Sequence, residues 1–98
     1  MPVAEFGGTV YTSSFTFTAT LDLANHTAVT SVDTDVTAAL VKSGDVVLAA
    51  PPATLEAGIA VQGCHTVANG GFKLRTTNAS AGAINPASAS WTFVVLRR

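Results

Sequence analysis

From residue 9 to residue 23 the chain alternates without a break. Tyr11, Ser13, Phe15, Phe17, Ala19, Leu21 and Leu23 fall on one side of the alternation, and Thr12, Ser14, Thr16, Thr18, Thr20 and Asp22 on the other. A period of two is the repeat of a pleated strand, whose successive side chains point to opposite faces. Thr and Phe also favour that backbone. The stretch reads as one strand, or as two joined by a bend near Ser13-Ser14, with Ala24-Asn25-His26 turning the chain after it. A strand with one apolar face needs neighbours, and the remainder of the chain has to supply them.

Residues 59 to 78 supply a hairpin. Two strand-like runs flank Asn69-Gly70-Gly71, and Asn-Gly marks a tight hairpin because both residues tolerate the positive φ such a turn uses. Beyond the turn, Phe72, Leu74 and Thr76 face one way while Lys73, Arg75 and Thr77 face the other. Residues 29 to 41 alternate again. Val32, Thr34, Val36, Ala38 and Leu40 share a face opposite Asp33, Asp35 and Thr37, which puts the two carboxylates toward solvent.

After the Lys42-Ser43-Gly44 turn, Val46, Val47 and Leu48 show no alternation. That predicts a short strand covered on both faces, ended by Pro51-Pro52, which cannot donate ladder hydrogen bonds. Thr54 to Gly58 reads as a single helical turn with Thr54 as its cap. Residues 79 to 90 read as a loop around Asn85-Pro86, tacked to the core by Ile84. In the last strand Trp91, Phe93 and Val95 oppose Thr92, Val94 and Leu96, so cover is expected on both sides, with Arg97-Arg98 in solvent or against a carboxylate.

The expected fold is all-β, a six- to seven-stranded antiparallel β-sandwich or jelly-roll-like barrel. It is expected as a single domain over residues 1–98, with an extended N-terminal arm at residues 1–10 and the sandwich at residues 11–98. A chain of 98 residues supports one core. Val3 and Phe6 in the arm imply that it docks on other protein.

Only 11% of the residues are charged although 48% are hydrophobic, against about 25% charged in ordinary domains. The exposed faces therefore have to be built from Thr, Ser, Ala, Gly and Asn, and such faces are suited to meeting other protein. The net charge is −1 and the basic residues are dispersed along the sequence apart from Arg97-Arg98, which argues against nucleic acid as a partner. No apolar run approaches the roughly 18 residues of a membrane span. The single cysteine, Cys64, rules out an internal disulfide. The opening Met-Pro-Val-Ala-Glu-Phe-Gly-Gly lacks the basic and apolar regions of a secretion signal, so synthesis in a reducing cytosol is expected. The sequons at Asn25 and Asn78 are then coincidental in a chain rich in Thr and Ser.

Little in the sequence carries chemistry. Cys64 and His65 are adjacent and so point to opposite faces of a strand, and no zinc spacing is present. A nucleophilic Cys64 would need a base and an orienting group; a buried, inert thiol is expected instead. Asp33 and Asp35 sit on a strand rather than a calcium-binding loop. No helix follows Gly70-Gly71 to make a phosphate cradle. Trp91 and Phe72 are expected to pack in the core. The expectation is a protein without catalytic residues, metal or cofactor.

From Val41 onward the pattern resembles small proteins encoded among the virion genes of tailed bacteriophages. The resemblance runs through Gly44-Asp45-Val46-Val47, Pro51-Pro52, Gly58-Ile59-Ala60-Val61, Val67-Ala68-Asn69-Gly70 and Leu74-Arg75. It continues from Asn78 through Gly82 and Asn85-Pro86 to Trp91 and Val94-Val95-Leu96-Arg97, and takes in the opening from Gly8-Thr9-Val10-Tyr11 to Asp22-Leu23-Ala24-Asn25. Gly63-Cys64-His65 departs from it. Such proteins are described as head decoration, cement or head-fibre proteins.

The resemblance implies a virion part on the outer head surface, made in the bacterial host cytoplasm. Its expected partners are the major capsid protein and copies of itself, a trimer being favoured, with Val3, Phe6, Val10 and Tyr11 as contact residues. The alternatives are a fibre base, collar or tail adaptor module, and a carbohydrate-binding β-sandwich.

Overall fold

A computed structural model describes residues 4–6, 9–11 and 13–97, and for the first two of these segments the backbone alone. Eight strands form: β1 (Ala4–Phe6), β2 (Thr9–Tyr11), β3 (Ser13–Leu21), β4 (Thr30–Thr37), β5 (Val46–Ala50), β6 (Ile59–Ala68), β7 (Gly71–Asn78) and β8 (Ala89–Arg97). The last six build two three-stranded sheets, ordered β3-β8-β5 and β4-β7-β6, with every pairing antiparallel. The all-β expectation holds, with no helix among the described residues.

The alternation read from the sequence sets which side chains enter the core. Phe72, Leu74 and Thr76 of β7 are buried, as are Trp91, Phe93 and Val95 of β8. Phe15, Phe17, Ala19 and Leu21 of β3 pack against them. The two sheets meet through aromatic rings. Phe72 of one sheet meets Phe93 and Phe17 of the other edge-on, at 5.1 and 6.2 Å between centroids, and within that second sheet Phe17 stacks on Phe93 at 5.3 Å. Burying a side chain of this size stabilises by about 1.5–3 kcal/mol, and each ring pair adds about 1 kcal/mol.

The hairpin turns at Asn69-Gly70 as expected, but with different dihedrals. Gly70 alone has a positive φ, at 94°. Asn69 instead accepts a hydrogen bond from the Ser43 amide through its side chain, at 2.9 Å. The Gly70 amide and carbonyl bond Val41 and Ala38, so the turn is clamped by the 38–43 loop.

Four other expectations need correction. Residues 54–58 form turns and no helix, because five residues cannot repay helix nucleation. Leu48 is 48% exposed, so β5 is covered on one face only; its other side belongs to the sheet's outer face, where Thr92 of the central strand is exposed too. Leu40, at 68% exposed, lies past the end of β4, where the strand alternation no longer governs direction. The N-terminal segment, expected as a single extended arm, forms a separate antiparallel pair, with Ala4 opposite Tyr11 and Phe6 opposite Thr9.

Candidate interaction surfaces

The two sheets present outer faces of opposite character. On β3-β8-β5 the strand registers bring Thr16, Val94 and Leu48 into one row and Thr18, Thr92 and Ala50 into the next. Ser14, Leu96 and Val46 form the row beyond, and Thr20 lies opposite Ser90. None of these residues is ionisable. The face is a lattice of Thr, Ser and aliphatic side chains.

The outer face of β4-β7-β6 collects charge. The register sets Asp33 opposite Arg75, and Asp35 opposite Lys73, with His65 on the far side of Lys73. Arg75 grips Asp33 with Nε and Nη2 at 2.8 and 3.1 Å, and Lys73 Nζ donates to Asp35 at 2.6 Å. The basic residues that look dispersed in the sequence are thus partly assembled by strand pairing. Hydrogen bonds from Arg75 first, then from His65, hold the Asp33 carboxyl well below the usual carboxylate range. Asp35 raises the Lys73 ammonium by its hydrogen bond, and Asp33 does the same for the Arg75 guanidinium. Exposed pairs of this kind contribute little stability, because solvent screens them. They do make this face strongly hydrated, and stripping that water is costly.

His65 Nε2 lies 3.1 Å from Asp33 Oδ1, and Thr66 Oγ1 lies 2.8 Å from His65 Nδ1. A carboxylate only accepts, so Nε2–H donates to Asp33, and the Thr66 hydroxyl donates to Nδ1 of the neutral ring. Thr66 adopts φ 53° inside the second break in the β6 register, between His65 and Ala68, a backbone state unfavourable for a β-branched residue. The chain of three resembles a nucleophile relay in its order, but Arg75 already holds both Asp33 oxygens and the group sits on an open sheet face. Its hydrogen bonds tie the irregular part of β6 to Asp33 on β4. Cys64 points the other way, against the core, as alternation requires, and burial pushes its thiol up to about 11. Among the described residues no cluster of His, Cys, Asp and Glu could hold a metal ion.

The contact residues expected from the sequence are only partly placed. Val3 lies outside the described residues. Phe6 ends β1, and Val10 and Tyr11 belong to β2, with Val10 opposite Glu5. The faces themselves were legible only in part: alternation identified the Thr side of β3 and the Asp side of β4, but which strands lie side by side is a long-range property. The Asn78 sequon is structural. Its fully buried side chain donates to the carbonyls of Gly82, His26 and Thr27 and accepts from Ser80.

No family model, curated protein or solved structure matches this chain.

Proposed function

We propose that the two sheets constitute a β-sandwich that serves as a structural part of a tailed-phage virion, a decoration or cement protein on the outer surface of the mature head. The observation that carries this reading is the contrast between the faces. The β3-β8-β5 face, with Thr92 on its central strand and the half-exposed Leu48 on the strand beside it, can be covered by protein without desolvating an ion. The opposite face, carrying Asp33, Asp35, Lys73 and Arg75, is suited to remain in water. A molecule built this way lies flat on a larger assembly with its charged side outward.

The mechanism is thermodynamic. A protein that binds the mature shell and not its expanded or broken forms stabilises the shell by mass action. Bridging neighbouring capsomers adds contacts that internal pressure would have to break. A contact of this kind needs at least ~1,000 Å² of total buried surface, which favours a broad flat face over a small pocket. The reading includes no catalytic role.

The test is quantitative mass spectrometry of purified particles, together with the heat resistance of heads with and without the protein. The reading expects hundreds of copies per head and a higher disruption temperature when they are present. A dozen or fewer copies, confined to tails or a collar, would assign the chain to an adaptor instead.

A further inference from the structure

The two sheets have four lateral edges, and three are defended against pairing with another strand. β5 is five residues long and runs into Pro51-Pro52. It also lies close to β6. β6 carries two register breaks, at Val61/Gly63 and His65/Ala68. β4 bears Asp33 and Asp35. Short length, proline, bulges and charge are the devices that keep sheet edges from adding strands.

β3 has none of them. It runs nine residues, Ser13–Leu21, without a charge or a proline. Its register with β8 is unbroken from Ser13 opposite Arg97 to Leu21 opposite Ala89. Among the described residues it pairs with β8 alone, so its other edge presents a row of unpaired backbone groups. Beside that edge is an apolar depression lined by Phe15, Phe17, Ala38 and Leu40. Phe15 and Phe17 are only half-buried.

We infer that β3 is the interface to a second copy of this chain, joined antiparallel about a two-fold axis near Phe17 to make one continuous sheet ordered β5-β8-β3-β3-β8-β5. The occupant follows from complementarity. An isologous contact sets each surface against itself, and only an uncharged edge can do so without opposing like charges or desolvating an ion. The β4 edge would set Asp against Asp.

Pairing centred on Phe17 sets Thr16 of one copy opposite Thr18 of the other on the outer face, and Phe15 opposite Ala19 on the inner. Thr–Thr and aromatic pairs are favourable cross-strand neighbours. The depression beside Leu40 is then covered from both sides, and the uncharged outer face doubles in width. The inference requires a dimer in place of the trimer favoured from the sequence. It does not depend on the virion reading, since it concerns the free protein.

Sedimentation of the full chain over a range of concentrations tests it. The wild type is expected to be a dimer. Thr16→Lys/Thr18→Lys, on exposed positions, is expected to weaken the dimer by at least about tenfold through like-charge opposition across the pair. Unchanged circular dichroism and melting would show that the variant is folded. In a Cys64→Ser background, a mixture of Thr16→Cys and Thr18→Cys chains is expected to cross-link to each other in preference to themselves, while Thr92→Cys on the central strand does not cross-link.

A wild type that stays monomeric at high concentration overturns the inference, and so does a trimer. A dimer indifferent to the two lysines overturns it as well. A monomer whose lysine variant loses only its binding to phage heads would show that a capsid strand, not a second copy, takes the edge.

Discussion

Nε2 of His26 lies 2.7 Å from Oγ1 of Thr76, and neither residue has measurable exposure. The other ring nitrogen, Nδ1, is 2.7 Å from the Ala24 carbonyl oxygen. Since a carbonyl only accepts, Nδ1 carries the proton, and the Thr76 hydroxyl donates to Nε2 of the neutral ring. The backbone of His26 pairs with Ile84 through two hydrogen bonds, 2.8 and 2.9 Å. One residue therefore ties the turn after β3 to both β7 and the 79–88 loop. Thr76→Val keeps the shape but leaves Nε2 without a partner. It is expected to cost about 1–3 kcal/mol, read from urea unfolding. His26→Ala is expected to cost more, because it also opens a cavity. The double variant should fall short of the sum of the two losses.

Acid should loosen the molecule at the enclosed Asp45–Arg97 pair. The Asp45 side chain is 2% exposed, and Arg97 binds it through Nε at 2.9 Å and Nη2 at 2.7 Å. That pairing, helped by the Lys42 amide, depresses the Asp45 pKa in the folded state against the opposing effect of burial. A carboxyl depressed on folding contributes fully above its unfolded value near ~4, and its contribution is lost as pH falls through the lower folded value. The melting temperature should therefore drop as pH is lowered below about 4, with a shallower drop in Asp45→Asn. At neutral pH Asp45→Asn should cost about 2 kcal/mol, since it removes the charge-assisted hydrogen bonds of an enclosed carboxylate and leaves Arg97 only its bond to the Leu40 carbonyl. Asp33→Asn, on the exposed face, should cost much less, since its ion pairs are screened by solvent.

Val29 offers a stabilising change. It is 75% exposed and has φ 55°, so a β-branched residue occupies left-handed backbone with little packing in return. Asn tolerates that conformation far better. Val29→Asn is expected to raise stability by about 0.5–1 kcal/mol, visible as a higher urea midpoint at unchanged slope.

Gly71 should be intolerant for a reason of space. A methyl group there would sit 2.5 Å from the carbonyl oxygen of Val36 on the neighbouring strand. Backbone cannot yield cheaply, so Gly71→Ala should cost about 2 kcal/mol or more. Gly44→Ala meets nothing within 4 Å, although Gly44 has φ 90°, and should cost nearer 1 kcal/mol from backbone strain alone. Chemical denaturation of the pair separates steric from conformational cost.

Strand content and core faces were legible because alternation is a local signal. Phe72, Leu74, Trp91, Phe93 and Val95 all point inward, as their spacing required. The misreadings have physical causes. The run Val46-Val47-Leu48 looks fully buried, but whether anything packs over a sheet's second face depends on elements far along the chain. His26 reads as a turn residue, and its burial follows from Thr76, fifty residues away. The charged ladder was hidden for the same reason: Asp33 and Arg75 are distant in sequence and meet only through the β4-β7 register. An uncharged outer face on β3-β8-β5 was foreshadowed by the low charge content, but only the pairing order shows that the ionised groups concentrate on the other sheet.

Binding to stripped mature phage heads, measured by co-sedimentation for two charge-altered variants, tests the central claim most directly. The account predicts that Leu48→Lys/Thr92→Lys, which places charge on the neutral face, abolishes binding while the protein stays folded, and that Lys73→Ala/Arg75→Ala binds like the wild type. Loss of binding in the second variant with full retention in the first would contradict it.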